Sequence, residues 1–77
     1  MGEAGIVPSR DESIDAFAAL LAEQGQVEME ITRVSYGTDE WRARARAGAR
    51  RAGLRVRTRV TRWTVVAEVV PRLRVVR

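Results

Sequence analysis

The residue type with the most chemical use in this sequence is arginine, which recurs at two regular spacings. Arg55, Arg57 and Arg59 alternate with small or apolar residues. On a β-strand, residues two apart share one face and lie about 6.6 Å from each other, twice the strand rise. We call these three residues the strand comb. Their spacing is comparable to that of phosphates along one DNA strand, and a guanidinium group binds a phosphate with two hydrogen bonds.

A second arginine series lies earlier in the chain. Arg42, Arg46 and Arg50 recur every four residues, which places them along one side of a helix. We call them the helix row. If both arrays pointed to one side, they would neutralise about four to six phosphates. The alternative is that the two arrays lie on opposite faces of the layer.

The composition lacks the residue types that enzymes use most often for catalysis. The chain has no histidine, cysteine or lysine, which removes the commonest general base, the thiol nucleophile and the Schiff-base amine. Glu28 and Glu30 share one strand face, as an acid–base pair or a magnesium site would require. Nothing near them in the sequence supports either use, and an arginine partner across the sheet is favoured. We therefore predict that the protein is not an enzyme and has neither a cofactor nor a metal site.

The charge is divided sharply along the chain. Residues 1–40 contain nine acidic residues and two arginines, a balance of −7. Residues 41–77 contain twelve arginines and one acid, Glu68, a balance of +11, and the two halves sum to the net charge of +4. Such asymmetry indicates a polyanionic partner such as nucleic acid. The alternative is that the acidic half neutralises the basic half within the fold.

The length of 77 residues fits one domain, which we place at residues 9–70. Residues 1–8 are expected to be a flexible N-terminus or a short edge strand. Residues 71–77 are expected to be a further edge strand or a tail.

Within this domain, the first helix and the first strand have clear local signals. Ser9 and Glu12 have the spacing of a capping box and predict a helix that runs to about Gln24, with Gly25 as its C-cap. Over residues 27–32, apolar residues alternate with glutamate and threonine. This pattern predicts a half-buried strand with an acidic outer face.

A second helix is predicted from about Asp39 to Ala52, with Thr38 as its N-cap. Glu40 and Arg44 form a favourable i, i+4 pair, and the arginines that border the buried stripe are expected to keep their guanidinium groups in water. The buried stripe is made mostly of small residues and should let the helix approach the sheet closely; it consists of Trp41, Ala45, Gly48, Ala49 and Ala52.

The remaining elements are two strands, over residues 54–60 and 63–70. The alternation directs the strand comb outward and directs Val60 and Trp63 inward. The join at residues 61–62 lacks the glycine or asparagine of a tight hairpin, which favours a longer or bulged connection or one long bent strand.

The resulting fold class is a small α/β (α+β) two-layer sandwich of element order (β)-α-β-α-β-β. Two helices are expected to pack on one mixed sheet of three or four strands. The β-α-β unit over residues 27–60 is predicted to be a right-handed parallel crossover. This element order is similar to that of Alba-type chromatin proteins and of the C-terminal domain of the third translation initiation factor. The resemblance covers element order alone, so it assigns no residue a role.

These features predict a small basic nucleic-acid-binding protein of weak sequence specificity, which holds phosphates with the strand comb and the helix row. Trp63 or Tyr36 would stack on a base if exposed, although Trp63 is expected to lie in the core. The alternative is a non-enzymatic, dimeric protein-interaction module, such as a small regulator of a phage, plasmid or stress system. The valine-rich C-terminal end favours a homodimer.

The sequence also predicts where the protein resides. Its first residues lack the basic and apolar regions of a signal peptide. The longest nearly apolar run, residues 64–71, is far shorter than the roughly 20 residues that span a bilayer. We therefore expect a cytoplasmic protein with no membrane partner.

Overall fold

The computed structural model describes residues 9–70 as a small α+β domain, in which two helices cover one face of a three-stranded sheet. The predictions made for residues 1–8 and 71–77 lie outside this range. The elements in chain order are α1 (Arg10–Gln24), β1 (Gln26–Glu30), a 3-10 turn (Ile31–Arg33), α2 (Thr38–Arg51), β2 (Val56–Val60) and β3 (Thr64–Val69).

Helix α1 begins with the predicted capping box. The hydroxyl of Ser9 accepts a hydrogen bond from the Glu12 N–H at 3.1 Å, and the Glu12 carboxylate accepts one from the Ser9 N–H at 3.1 Å. Gly25 ends the helix in the left-handed conformation, at a φ of 78°, which glycine adopts without strain. Three apolar residues of α1, Ile14, Phe17 and Leu21, are buried.

The strand order is β1-β3-β2, and both pairings are antiparallel. The prediction of a mixed sheet is therefore wrong within the described strands. Strands β1 and β2 run in the same direction, but β3 lies between them and they do not pair. The reason is visible in β3, where consecutive Val65, Val66 and Ala67 are all buried. A strand buried on both faces belongs at the centre of a sheet.

The β2–β3 connection is tight, although it contains no glycine. The Thr61 N–H donates to the Thr64 carbonyl at 2.8 Å. The Thr61 hydroxyl accepts from the N–H groups of Trp63 at 3.2 Å and Thr64 at 3.0 Å. A side-chain hydroxyl thus takes the place of a backbone acceptor, so the turn forms without a positive φ at a non-glycine residue.

This turn changes one predicted orientation. Strand β3 begins at Thr64, so Trp63 belongs to the turn and its residue surface is 71% exposed. The prediction that Trp63 lies in the core is wrong. Val60, at the other side of the turn, lies opposite the buried Val65 and so keeps its predicted inward face, although it is 43% exposed at the end of the strand.

Helix α2 differs from prediction at its N-terminus and in its closest contact. Gly37 occupies the N-cap position without a side-chain cap, and Thr38 is the first helical residue. Of the predicted stripe, all but Ala52 are buried. The closest approach of this stripe is to α1 and not to the sheet. A Cβ on Gly48 would lie 2.6 Å from the Phe17 Cβ and 2.8 Å from the Ile14 carbonyl oxygen.

Trp41 lies at the centre of the core. It is fully buried, and its ring meets that of Phe17 edge-to-face, at 5.0 Å between centroids and 89° between planes. Val65 and Ala67 complete this centre from β3. The core therefore fixes the helical side of the sheet and leaves the arginine arrays at its margin.

Candidate nucleic-acid interface

Arg57 and Arg59 of the strand comb lie where the alternation predicts, on the face of the sheet away from the helices, and Arg55 directly precedes β2. Arg55, Arg57 and Arg59 are all exposed. The intervening Thr58 pairs with the fully buried Ala67 of β3, which fixes the inward side of β2. The outward direction of the comb thus follows from the two-residue period of the strand.

The acid nearest to the comb comes from β3. Glu68 lies opposite Arg57 in the strand register, and its Oε1 is 3.5 Å from Nη1 of Arg59. Glu28 and Glu30 lie on β1, on the other side of β3. The prediction that these two glutamates have arginine partners across the sheet is wrong within residues 9–70. Glu30 instead lies 3.9 Å from Arg33, three residues later, and Glu28 forms no ion pair in this range.

The helix row lies on the opposite, helical side of β2. Two of its members reach the same side chain on the strand. The Thr58 hydroxyl oxygen accepts a hydrogen bond from Nε of Arg42 at 3.0 Å and one from Nη1 of Arg46 at 3.3 Å. Arg50, one turn further along, is exposed. The two arrays therefore flank β2 from its two faces and do not form one flat surface.

An open cleft of about 370 Å³ is the place where the two arrays meet. Arg46 and Arg50 of the helix row and Arg55 of the strand comb line it. Arg57, Arg59 and Arg42, the other members of the two arrays, do not line it. The remaining lining residues are mainly apolar: Ala49, Leu54, Val56 and Val70.

Backbone hydrogen bonds hold the walls of this cleft. The Leu54 N–H donates to the Ala49 carbonyl at 2.7 Å, which turns the chain from α2 into β2. The Val70 N–H donates to the Arg55 carbonyl at 3.0 Å, which joins the end of β3 to the start of β2. The sequence patterns did not identify these apolar residues as part of a site. The available signal was the alternation of Leu54 and Val56 with the arginines of the strand comb.

The charged residues that line the cleft are all arginines. Within residues 9–70, Arg46, Arg50, Arg55 and Arg57 form no ion pair. Arg42 lies 4.0 Å from a carboxylate oxygen of Asp39, which is fully exposed. Like charges around a concave surface with apolar walls raise the local positive potential. The cleft is thus suited to an anion.

Arg44 was predicted to face solvent and is instead buried. Its Nε donates to Glu40 at 2.9 Å, its Nη1 donates to the Ser13 hydroxyl at 2.9 Å, and its guanidinium carbon lies 3.8 Å from the centroid of the Tyr36 ring. Glu40 also accepts from Nε of Arg10 at 2.8 Å. Hydrogen bonds from Arg44 and then Arg10 lower the pKa of Glu40 below its ordinary value. The i, i+4 spacing correctly predicted the Glu40–Arg44 pair, but not its burial against α1.

Other classes of site have little support in the described part of the chain. Residues 9–70 contain no group of three or more acidic, histidine or cysteine side chains that could hold a metal ion. Over the same residues, neither helix is both long and apolar enough to cross a bilayer. Comparison with protein-family models, curated proteins and solved structures gives no match to this chain.

Proposed function

We propose that this protein binds the phosphate backbone of nucleic acid, with weak sequence specificity, through the arginines on both faces of β2. One observation carries the proposal. Arg46, Arg50 and Arg55 line one cleft, and none of them has a carboxylate partner within residues 9–70. That the chain is not an enzyme and that it is cytoplasmic stay predictions.

The chemistry of the cleft favours phosphate over other anions. A guanidinium group presents a rigid fork of donors, which matches two oxygens of one phosphate. Arg55 also begins the strand comb, so a chain of phosphates leaving the cleft would next meet Arg57 on the outer face of β2. Contacts to phosphate fix position without reading bases, which is why we propose weak specificity.

The first test is binding of a labelled nucleic acid by fluorescence anisotropy over a series of salt concentrations. The four members of the two arrays that form no ion pair within residues 9–70, Arg46, Arg50, Arg55 and Arg57, would neutralise four phosphates. At about 0.9 per phosphate, the log–log salt slope on duplex DNA is expected near −3.6. Absence of binding by the unmodified chain at low salt would overturn the proposal.

A pair of triple variants separates the proposed site from bulk charge. The site variant changes Arg55, Arg57 and Arg59 to glutamine. We expect it to weaken binding strongly and to reduce the salt slope by about 2, because two of the four phosphate contacts are lost, with little change in melting temperature, because all three side chains are exposed. The control variant removes the same charge elsewhere by changing Arg10, Arg33 and Arg51 to glutamine. An equal loss of affinity in both variants would show that net charge, and not the cleft and comb, attracts the ligand.

A second candidate function is a homodimeric protein-interaction module, of the kind found in small regulators of phage, plasmid or stress systems. The observation that favours it is the opposite charge of the two outer strands. Glu28 and Glu30 lie on β1, Arg57 and Arg59 lie on β2, and within residues 9–70 the outer edges of these strands are unpaired. Electrostatic pairing between copies would weaken with salt. The expected result is a dimeric mass at low salt, whereas a monomeric mass at low salt would contradict this candidate.

A further inference from the structure

The four aromatic side chains of this protein divide into three that pack and one that does not. Phe17 and Trp41 are buried in the core. Tyr36 is half-buried, and the guanidinium of Arg44 covers its ring at 3.8 Å. Trp63 alone among the four is exposed, at 71%. Trp63 is one of the two largest side chains in this small domain, and leaving its ring in water forgoes the free energy of burying it, so its position calls for an explanation.

The backbone beneath Trp63 is held firmly. Its N–H donates to the Thr61 hydroxyl at 3.2 Å. Its carbonyl accepts from the Ile31 N–H at 2.8 Å, which ties the turn to the 3-10 segment after β1. A ring mounted on a fixed turn loses little conformational freedom when a ligand stacks on it. This arrangement differs from an aromatic residue left on a loose loop.

The turn that carries Trp63 has arginines on its β2 side, and Glu30 of β1 lies opposite Thr64 on its other side. The Arg62 guanidinium lies 6.0 Å from the centroid of its ring, at the limit of a cation–π contact. Arg59, four residues earlier on β2, begins the line of outward arginines that leads back to the cleft. The segment from Arg55 to the turn residue Thr61 is about 20 Å long, at a rise of roughly 3.3 Å per residue. An exposed aromatic ring thus stands at the end of a track of guanidinium groups.

We propose that the β2–β3 hairpin prefers single-stranded nucleic acid, with the strand comb along the phosphates and an unpaired base stacked on Trp63. The inference rests on the proposed function and adds the structural state of the ligand. Aromatic rings in basic grooves bind unpaired bases in this way, with little dependence on sequence, because every base has a π-face. In a duplex, the base faces are already stacked and are closed to Trp63. Single-stranded DNA and RNA share this chemistry.

The test compares the unmodified chain with two variants, Trp63→Leu and Trp63→Phe, on three probes. The probes are an oligothymidylate, an oligouridylate and a mixed-sequence DNA duplex. Leucine retains apolar bulk but has no π-face, and should weaken single-strand binding roughly ten-fold or more. Phenylalanine keeps a ring and should retain most of the affinity. Duplex affinity and all salt slopes should be unchanged, because no charge is removed.

A second readout uses the unmodified protein. Trp41 is fully buried, so a collisional quencher such as acrylamide reports mainly on Trp63. Saturating oligothymidylate should protect the quenchable tryptophan fluorescence, whereas saturating duplex should not. The melting temperature of each variant confirms that it is folded, which we expect because the Trp63 side chain is exposed.

The outcomes separate the two proposals. If the unmodified chain binds none of the probes, the proposed function fails and this inference falls with it. If the chain binds but Trp63→Leu changes nothing, or if duplex is preferred, the proposed function stands and this inference is overturned. A loss on oligothymidylate alone or on oligouridylate alone would support the inference and identify which sugar the hairpin accepts.

Discussion

The two sides of α2 carry the same residue type in opposite environments. On the side facing α1, Arg44 is buried, and it donates hydrogen bonds to Glu40 and Ser13. On the side facing β2, Arg46 and Arg50 are exposed and form no ion pair within residues 9–70. What differs is the neighbouring element and not the arginine.

The comparison shows which part of the basic half the acidic half neutralises. Helix α1 supplies Asp15, which pairs with Arg51, and Ser13, which bonds Arg44. On the other side of α2, the neighbouring side chain from β2 is Thr58. Its hydroxyl accepts hydrogen bonds from Arg42 and Arg46 but carries no charge. Internal neutralisation is therefore more extensive at the α1–α2 contact than along β2, where Arg59 alone of the strand comb has a carboxylate partner within residues 9–70. A polyanion would find its attractive surface on the second side.

Among substitutions on the packed side of α2, Trp41→Ala should lower the free energy of unfolding most. Trp41→Ala removes a fully buried ring that contacts Phe17 at 5.0 Å, and should lower the free energy of unfolding by roughly 3–5 kcal/mol. Urea denaturation measures the effect. Trp63→Ala is the matched control, because the same truncation at a 71% exposed site should cost far less. Equal losses at the two tryptophans would contradict the described packing.

The next largest effect is expected at Gly48, where α2 meets α1. Gly48→Ala would place a methyl group 2.6 Å from the Phe17 Cβ and 2.8 Å from the Ile14 backbone oxygen, which the structure can relieve only by separating the helices. Overpacking of this kind costs about 1–3 kcal/mol. Alanine is the better helix former by about 1 kcal/mol, so a more stable Gly48→Ala protein in thermal denaturation would refute the close contact.

The sequence predicted local structure well because local signals determine it. The capping box of Ser9 and Glu12, the i, i+4 pair of Glu40 and Arg44, and the outward direction of the strand comb depend on residues close in the chain. The second helix and the strands were placed to within a few residues for the same reason.

The strand order and the partners of the arginines depend on contacts far apart in the chain. Arg44 bonds Ser13 across 31 positions, and no period in the sequence reports such a contact. The central place of β3 had a signal in the consecutive apolar Val65, Val66 and Ala67, which alternation-based reasoning overlooked. Trp63 lies two residues before Val65, so the alternation wrongly predicted that it faces inward. In the structure, the hydroxyl of Thr61 accepts a hydrogen bond from the Trp63 N–H and holds Trp63 in the turn.

A matched pair of substitutions tests the two sides of α2 directly. Arg44→Met should lower stability by about 1–2 kcal/mol, because it removes charge-assisted hydrogen bonds from a buried position. Its effect on nucleic-acid binding should be small. Arg46→Met should leave stability within about 0.5 kcal/mol but reduce the salt slope of binding by about 1. Calorimetry measures the stability of both variants and anisotropy measures their binding. If the two variants lost the same stability and the same affinity, the assignment of different roles to the two sides of α2 would be wrong.

The smallest predicted effect concerns the pH dependence of the α1–α2 contact. Arg44 and Arg10 lower the pKa of Glu40 in the folded protein below its ordinary value of 4.5. The unfolded chain therefore binds the proton more readily, so Glu40 contributes stability above pH 4.5 and loses this contribution as the pH falls below it. Glu40→Gln should lower the melting temperature at neutral pH, and the difference from the unmodified chain should shrink in acid.

The control for this prediction is Glu23→Gln, which removes an exposed carboxylate with no ion pair within residues 9–70. At neutral pH its melting temperature should fall by less than that of Glu40→Gln, because no hydrogen bond to an arginine is lost. Phosphate-backbone binding, measured at neutral pH where both variants are folded, should be unchanged by Glu40→Gln, because Glu40 bonds arginines on the α1 side of α2. A change in binding would mean that the two sides of the helix are coupled, and that the carboxylate facing α1 also sets the potential along β2.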